Sequence, residues 1–289
     1  MTIGLRAAFA ATLIGAVAVP AFADGIQSKD VTGTFTVGGG YFDYETTDGD
    51  DSTDLIISGA ASLAIAFGKA WSAQFDVLGE QVTAGSDSDQ YSGMQGVGGH
   101  ISYRMPGSGM IGLFAGYGSG SPTDEETWSG GWVGLEGQFW LDDITLTAQA
   151  ALLDISEYNG GDDEGLDDDA YLLRAVGRYF ATNDVKLEAE VAYVEASNVI
   201  DGDDDGEAFE WGLSVQARLA DAPIYGTLSY RSGNYDATTE DDDGDVSTVA
   251  LSFSYLFGTN SLKENDRNGA SLDTPSTPLR AAGVFSELD

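Results

Sequence analysis

Three sets of residues in this 289-residue chain have types and spacings that could do chemistry. The first is Arg174, Arg178, Glu188 and Glu190. If Thr182 to Asp184 forms a three-residue connection between antiparallel strands, Arg178 falls directly opposite Glu188, with Arg174 and Glu190 as diagonal neighbours. Charges of both signs across a lumen could sort polar solutes in a transverse field, or could tie the wall together as a salt-bridge ladder; the sequence leaves both open. The second set is Asp201, Asp203, Asp205 and Gly206, a D-x-D-x-D-G run. In such a run alternate carboxylates can converge on calcium while the glycine permits the turn. Its twelfth position is Gly212 rather than a bidentate glutamate, with Glu207 and Glu210 nearby, so it is not an EF-hand. A calcium site there competes with a plain solvated charge run. The third candidate is His100, the single histidine. A lipid hydrolase needs its histidine and nucleophile at the outer face or rim. His100 lies among glycines in "GVGGHISY", in the phase read below as inward, so it is expected to be a polar lumen residue and no enzymatic activity is expected.

The elements that must position these residues are strands. "DVSTVALSFSYLFG" (Asp245 to Gly258) alternates apolar Val249, Leu251, Phe253, Tyr255 and Phe257 with Thr248, Ala250, Ser252 and Ser254, until Leu256 breaks the pattern. A period of two marks a strand whose faces meet different surroundings. The pattern recurs over Thr32 to Tyr44, Leu55 to Phe67, Trp71 to Val82, Tyr91 to Met105, Met110 to Gly118 and Trp128 to Trp140. It continues over Ile144 to Leu153, Ala170 to Phe180, Val185 to Glu195, Phe209 to Leu219, Ile224 to Tyr235 and Val246 to Phe257. The connectors alternate between two kinds. Short ones such as "GKA", "PGSG", "LDD", "TND" and "ADAP" trade places with long acidic ones such as "TTDGDDST", "ISEYNGGDDEGLDDD" and "DATTEDDDGD". A soluble sandwich has no reason to sort loop length by end, whereas a transmembrane barrel with short periplasmic turns and long extracellular loops does. Pro106, Pro122, Pro223, Pro275 and Pro278 all fall outside the strands, as ladder chemistry requires.

A parity test assigns the faces. Arg104, Arg174, Arg178, Lys186, Arg218 and Arg231 all fall opposite the apolar phase, and so do Asp76, Glu80, Glu136, Glu188, Glu190 and Glu210, together with Gln74, Gln138, Gln149 and Gln216. An Arg or Lys on the lipid face at mid-depth costs about 2 to 4 kcal/mol, which gives ionic side chains a reason to point into a lumen. Asp43 and Glu195 take the outward phase beside acidic loops, where that cost fades. Small inward residues (Ser58, Ala60, Ser62, Ala64; Gly112, Gly116, Gly118; Ser252, Ser254) are expected to leave space. Aromatics form two expected girdles: Tyr41, Tyr44, Tyr91, Trp128, Tyr171, Tyr193, Phe209, Trp211 and Tyr235 at the long-loop end, and Phe67, Trp71, Tyr103, Phe139, Trp140, Tyr179 and Phe257 at the other.

Composition sets the compartment. Arg6, an apolar run from Ala7 to Val19 and the small-residue site "AFA" ending at Ala23 read as a secretory signal peptide over 1–23, cleaved after Ala23. The chain has no cysteine and a net charge of -36, which excludes a disulfide scaffold and argues against nucleic acid. Signal peptide, loop alternation, girdles and the aromatic-terminated "VALSFSYLF" together resemble the bacterial outer-membrane β-barrel proteins, porin-like in the broad sense, with no particular subfamily. The resemblance implies an all-β, closed, antiparallel up-and-down barrel of about 12 strands over 24–258 in a Gram-negative outer membrane. It also implies contact with lipid, lipopolysaccharide and the barrel-assembly machinery. The expected function is passive diffusion of small hydrophilic solutes with cations favoured by the acidic mouth. The other reading is a non-conducting surface barrel whose acidic loops bind calcium or contact other surfaces. Residues 259–289 depart from the family pattern and are expected to be a polar, flexible periplasmic tail.

Overall fold

The computed structural model describes residues 31–46, 51–67, 70–83, 93–120, 127–158, 165–166, 170–196, 206–237 and 243–285. Seven strands come first: β1 (Val31–Thr46), β2 (Asp51–Phe67), β3 (Trp71–Thr83), β4 (Gly93–Met105), β5 (Gly109–Gly120), β6 (Thr127–Leu141) and β7 (Ile144–Tyr158). After the two-residue β8 (Gly165–Leu166) follow β9 (Tyr171–Thr182), β10 (Val185–Ala196), β11 (Gly206–Arg218), β12 (Ile224–Ala237) and β13 (Asp243–Phe257). Each long strand pairs antiparallel with its neighbours in the chain, and β1 pairs with β13 through Gly33↔Phe257 to Thr46↔Gly244, which closes a 12-strand ring. The small β8 sits outside that ring, paired only with β7. Closure leaves no sheet edge, the condition for a sheet to survive in hydrocarbon.

Through mid-height the outward phase is apolar around the ring. Leu113, Leu135, Leu152, Leu173, Leu228 and Leu251 are each more than half exposed, which only an apolar solvent tolerates over a whole circumference. The barrel is therefore transmembrane. Tyr41, Phe209 and Trp211 at one end, and Phe67, Trp71, Tyr103, Phe139 and Tyr179 at the other, point outward as girdle residues. Tyr44, Trp128, Tyr235 and Trp140 do not: they lie in the inward phase and are buried, while Tyr91 lies outside the described residues.

What they pack against is the segment after β13. At Gly258 the backbone takes φ +80°, where a Cβ would collide with the Val31 carbonyl, and the chain turns from the wall into the lumen. Ser261 then caps α1 (Leu262–Asn268), accepting from the Glu264 N–H at 3.1 Å, while Glu264 accepts from the Asn260 N–H at 2.8 Å. A stretch without regular structure over 271–276 leads to α2 (Thr277–Phe285), with Pro278 in the first turn, where a missing N–H costs nothing. Helix α1 sits at the short-turn end, where Lys263 pairs with Asp143 at 2.6 Å; α2 sits among residues from the long-loop ends of the strands. The expectation of a flexible periplasmic tail is thus corrected. Residues 259–285 thread the lumen, because its wall supplies partners for a polar segment that a composition argument treats as solvated.

Two outcomes follow. Leu135→Arg, on the lipid face near mid-height and 65% exposed, lowers stability by about 2 to 4 kcal/mol in a urea titration of the vesicle-embedded protein. Asp184, in the β9–β10 turn, titrates in the opposite sense from its burial. Desolvation opposes ionisation, but hydrogen bonds from Arg218, Tyr225 and the Leu262 N–H hold its carboxyl below the usual range. A depressed carboxylate stabilises above its unfolded pKa of about 3.9 and loses that contribution as pH falls through the folded value. The urea midpoint of the native chain therefore drops below about pH 4, and Asp184→Asn flattens that part of the profile.

Candidate functional site

The lumen is built in three layers around the C-terminal segment. At the short-turn end Leu262 packs with Phe180, Tyr225 and Leu256, and Leu272 with Met110 and Trp140. Arg218 donates to Asp184 at 2.8 Å and also to the Asn260 carbonyl, and Arg267 donates to the carbonyls of Asp142 and Ile144 at 3.1 and 3.0 Å.

In the middle layer the wall reads the backbone of the segment. Arg104 donates to the carbonyls of Arg267 and Gly269 at 2.8 and 2.7 Å. Gln138 and Arg178 share the Ser271 carbonyl at 3.1 and 2.8 Å, Gln149 donates to that of Asp273 at 2.9 Å, and Gln74 brackets Leu272 by donating to its carbonyl and accepting its N–H. Arg178 stands directly opposite Glu188 in register and bonds it at 2.7 Å, while also pairing with Asp266 at 3.2 Å and with Asp273. Arg174 forms a fork to Glu190 at 2.9 and 3.0 Å and donates to Gln149 at 2.7 Å. The quartet is thus a ladder that also grips the segment. Lys186 extends it, 3.1 Å from Glu188, with Gln216 opposite Lys186 in register.

His100 lies beside this network with both ring nitrogens engaged: Nδ1 is 3.0 Å from Glu136, and Nε2 is 2.9 Å from Asp76 and 3.1 Å from Thr274 Oγ1. The ring is held between the carboxyl groups of Glu136 and Asp76, with Thr274 donating to Asp76 at 2.8 Å. Its chemistry here is to bridge β3, β4, β6 and the segment.

The upper layer holds α2. Arg280 donates to Glu210 at 2.8 Å and reaches both oxygens of Glu80 at 3.2 Å, Thr277 donates to Glu210 at 2.7 Å, and Tyr235 donates to it at 2.5 Å. Arg231 stands 3.8 Å from Glu210 and donates to Ser276 at 3.1 Å. Around α2 every strand of the ring contributes to an apolar collar, with Phe42, Ile56, Met94, Trp128, Leu172, Val194 and Val246 packed about Leu279, Ala281, Ala282 and Val284. The strands β4 and β5 receive the segment through glycines. A Cβ at Gly118 would stand 2.6 Å from Leu279, and one at Gly98 would collide with Thr274. Gly112, Gly116 and Gly118 thus do not leave the open space expected of them; Trp132 covers Gly116 and Leu279 covers Gly118.

The opposite wall is different. On β2, β1, β13, β12 and β11 the mid-height inward residues are mostly small: Ser58, Ala60 and Ser62, Thr36 and Gly38, Ala250 and Ser252, Thr227 and Ser229, and Gly212 and Ser214, with Arg231 level with Gly212 and Gln216 level with Thr227 as the long exceptions. Between this hydroxyl wall and the segment lies a chamber of about 390 Å³, bounded also by Asp76, Glu80, Glu188, Glu190, Arg231, Asp273 and Arg280. Toward the long-loop end of the barrel Tyr44 and Tyr235 are buried, and toward the short-turn end Leu256 and Tyr225.

Asp201, Asp203 and Asp205 lie outside the described residues, and among the described residues no cluster of three or more His, Asp or Glu side chains could hold a metal. The functional partners missed from sequence are the segment's own Asp266, Asp273, Thr274 and Arg280, and the inward apolar residues of the collar. One signal was present: Leu256, the residue that breaks the alternation of β13, is inward and 3% exposed because it packs on Leu262.

No family model and no curated protein matches the chain. Solved structures do. An outer-membrane channel from Pseudomonas putida F1 superposes with TM-score 0.50 at 12% identity over 82% of this chain and 99% of the other. The translocator domain of the autotransporter NalP from Neisseria meningitidis gives 0.45 at 12% over 87% and 96%, and the KdgM porin in complex with oligogalacturonate gives 0.44 at 11% over 77% and 99%. At such identities the likeness is one of fold: the chain is built as an outer-membrane β-barrel.

Proposed function

We propose that this protein is a porin-like channel of the Gram-negative outer membrane, passing small hydrophilic solutes by diffusion, with its own C-terminal segment occupying the lumen in the closed state. The observation that carries this reading is the unequal division of the lumen. A plug meant only to fill a barrel would be packed on all sides at the density of a protein interior. Here residues 267–274 are docked against one wall, while at mid-height the facing wall is built of small residues apart from Arg231 and Gln216, with a chamber of about 390 Å³ between them. That volume holds roughly a dozen waters at about 30 Å³ each. The shared fold with an outer-membrane channel supports the same reading at the level of architecture.

Cation preference is supported by charge. The sequence carries 48 acidic against 12 basic residues, most of the excess in the long connectors, so the mouth raises the local concentration of cations. The second reading, a non-conducting surface barrel, draws on the apolar collar around α2, which water and ions cross only if it opens. In that reading the acidic loops, with Asp201, Asp203 and Asp205 as ligands, take calcium or bridge to lipopolysaccharide.

Planar-bilayer recording of the purified protein under a KCl gradient is expected to give discrete steps whose reversal potential has the cation-selective sign. An intact barrel that stays silent at every voltage would end the channel reading. Calorimetric titration with calcium tests the other: a binding isotherm abolished by Asp→Asn at 201, 203 and 205 supports it, and flat heats in the native chain remove it.

A further inference from the structure

Building on the channel reading, we infer that the C-terminal segment is a two-part gate: residues 261–274 are a fixed strut and α2 is the moving element, so the path opens between the strut and the hydroxyl wall. The two parts are attached by different chemistry. The strut is held through its main chain, with wall side chains on the carbonyls of Arg267, Gly269, Ser271, Leu272 and Asp273. Five consecutive or near-consecutive backbone acceptors taken by five wall side chains leave no way to release one without stranding another, because a buried polar group without a partner costs more than the bond contributes. The ion pairs of Asp266 and Lys263 add to this hold.

Helix α2 is attached through side chains. Its only charged residue is Arg280, on Glu210 and Glu80, and its apolar contacts come from Leu279 and Val284 with two alanines between them. Leu279, Ala281, Ala282 and Val284 are buried in the collar, but they are held there by nondirectional apolar contact and not by bonds to the main chain. The junction is placed between the parts. Thr274 is the last residue bonded to the wall near His100, at 2.8 Å from Asp76, and Pro275 follows with no N–H to anchor. Swinging α2 away from the collar would join the chamber to the long-loop end without disturbing the wall arginines below. The pathway so defined runs past the hydroxyls of Ser58, Ser62, Thr227 and Ser229 and past ionic groups that are mutually paired, which suits small hydrophilic solutes.

The chain has no cysteine, so single cysteines report position cleanly. Ser271→Cys marks the strut and Ala282→Cys marks α2, each introduced into the full chain together with one of two loosening variants. Arg280→Ala removes the latch but strands Glu80 and Glu210; Leu279→Ala touches no charge and serves as the second variant. In planar bilayers both are expected to raise open probability about tenfold or more, the effect of losing one charge-assisted bond or one buried side chain. A membrane-impermeant maleimide is expected to react with the α2 thiol of the Ala282→Cys chain as opening increases and to spare the strut thiol of the Ser271→Cys chain. Equal reaction at both positions would overturn the inference, because the whole segment would then leave. Conductance with neither position reacting would overturn it as well, since the path would bypass the segment. Reaction at the α2 thiol alone without conductance supports the fixed strut and moving helix while ending the channel reading.

Discussion

Everything inside this barrel depends on one constraint: guanidinium groups directed into a lumen too narrow to hydrate them freely must find acceptors. Arg104, Arg174 and Arg178 point inward because the outer wall faces hydrocarbon, and the alternation of each strand allows no third direction. For Arg174 and Arg178 the neighbouring strand β10 supplies part of the demand, through Glu190 and Glu188. The rest is met by carbonyls and carboxylates of residues 266–273, which have no regular structure of their own beyond the short α1. Arginine suits this task better than lysine, since its planar fork presents several donors at fixed angles and can hold two acceptors of a turning backbone at once.

Such a network is poor at adding net stability and good at fixing position. Desolvating an ion pair cancels most of its Coulombic gain, whereas removing one partner leaves a charge stranded. The consequence is a segment with a single permitted register in the lumen. Sliding it by one residue would take the Ser271, Gly269 and Arg267 carbonyls away from their donors together. The collar works by the opposite rule: apolar contact is nondirectional, tolerates small rotations and weakens gradually as area is exposed. One polypeptide thus carries a rigid polar attachment and a forgiving apolar one, separated by a proline.

Much of this was legible in the residues and part was not, for physical reasons. The barrel, its closure and the direction of the strand arginines follow from a period of two, which is local and strong. The Arg178–Glu188 opposition is found as expected, although the connection is a two-residue turn, Asn183–Asp184, followed by a register shift at Val185/Lys186 that restores the register of a three-residue loop. The segment's fate was illegible because its composition is that of a solvated chain; what makes it ordered is a set of donor and acceptor sites on distant strands, up to 200 residues away in sequence, that no local pattern expresses. The aromatic girdles failed where a second apolar surface existed. Tyr44, Trp128, Trp140 and Tyr235 fit an interfacial role only because an aromatic near a strand end ordinarily meets headgroups, and that rule assumes an aqueous interior. Inward phase was evidence against it at each of these positions.

The asymmetry of the lumen is where sequence and mechanism meet. Glycines on β4 and β5 lower one wall so that Leu279 and Thr274 can approach, and the large inward residues beside them, Phe114 and Trp132, fill what the segment leaves. Across the axis, five neighbouring strands leave the space unfilled, although leucine or phenylalanine there would add burial at about 25 cal/mol per Å². Leaving that gain unused costs stability, and a barrel selected for stability alone would have closed the gap. Keeping an open space beside residues 267–274, which are locked to the other wall, makes sense if water and solutes must pass there, with the segment providing the far bank of the channel rather than only its obstruction.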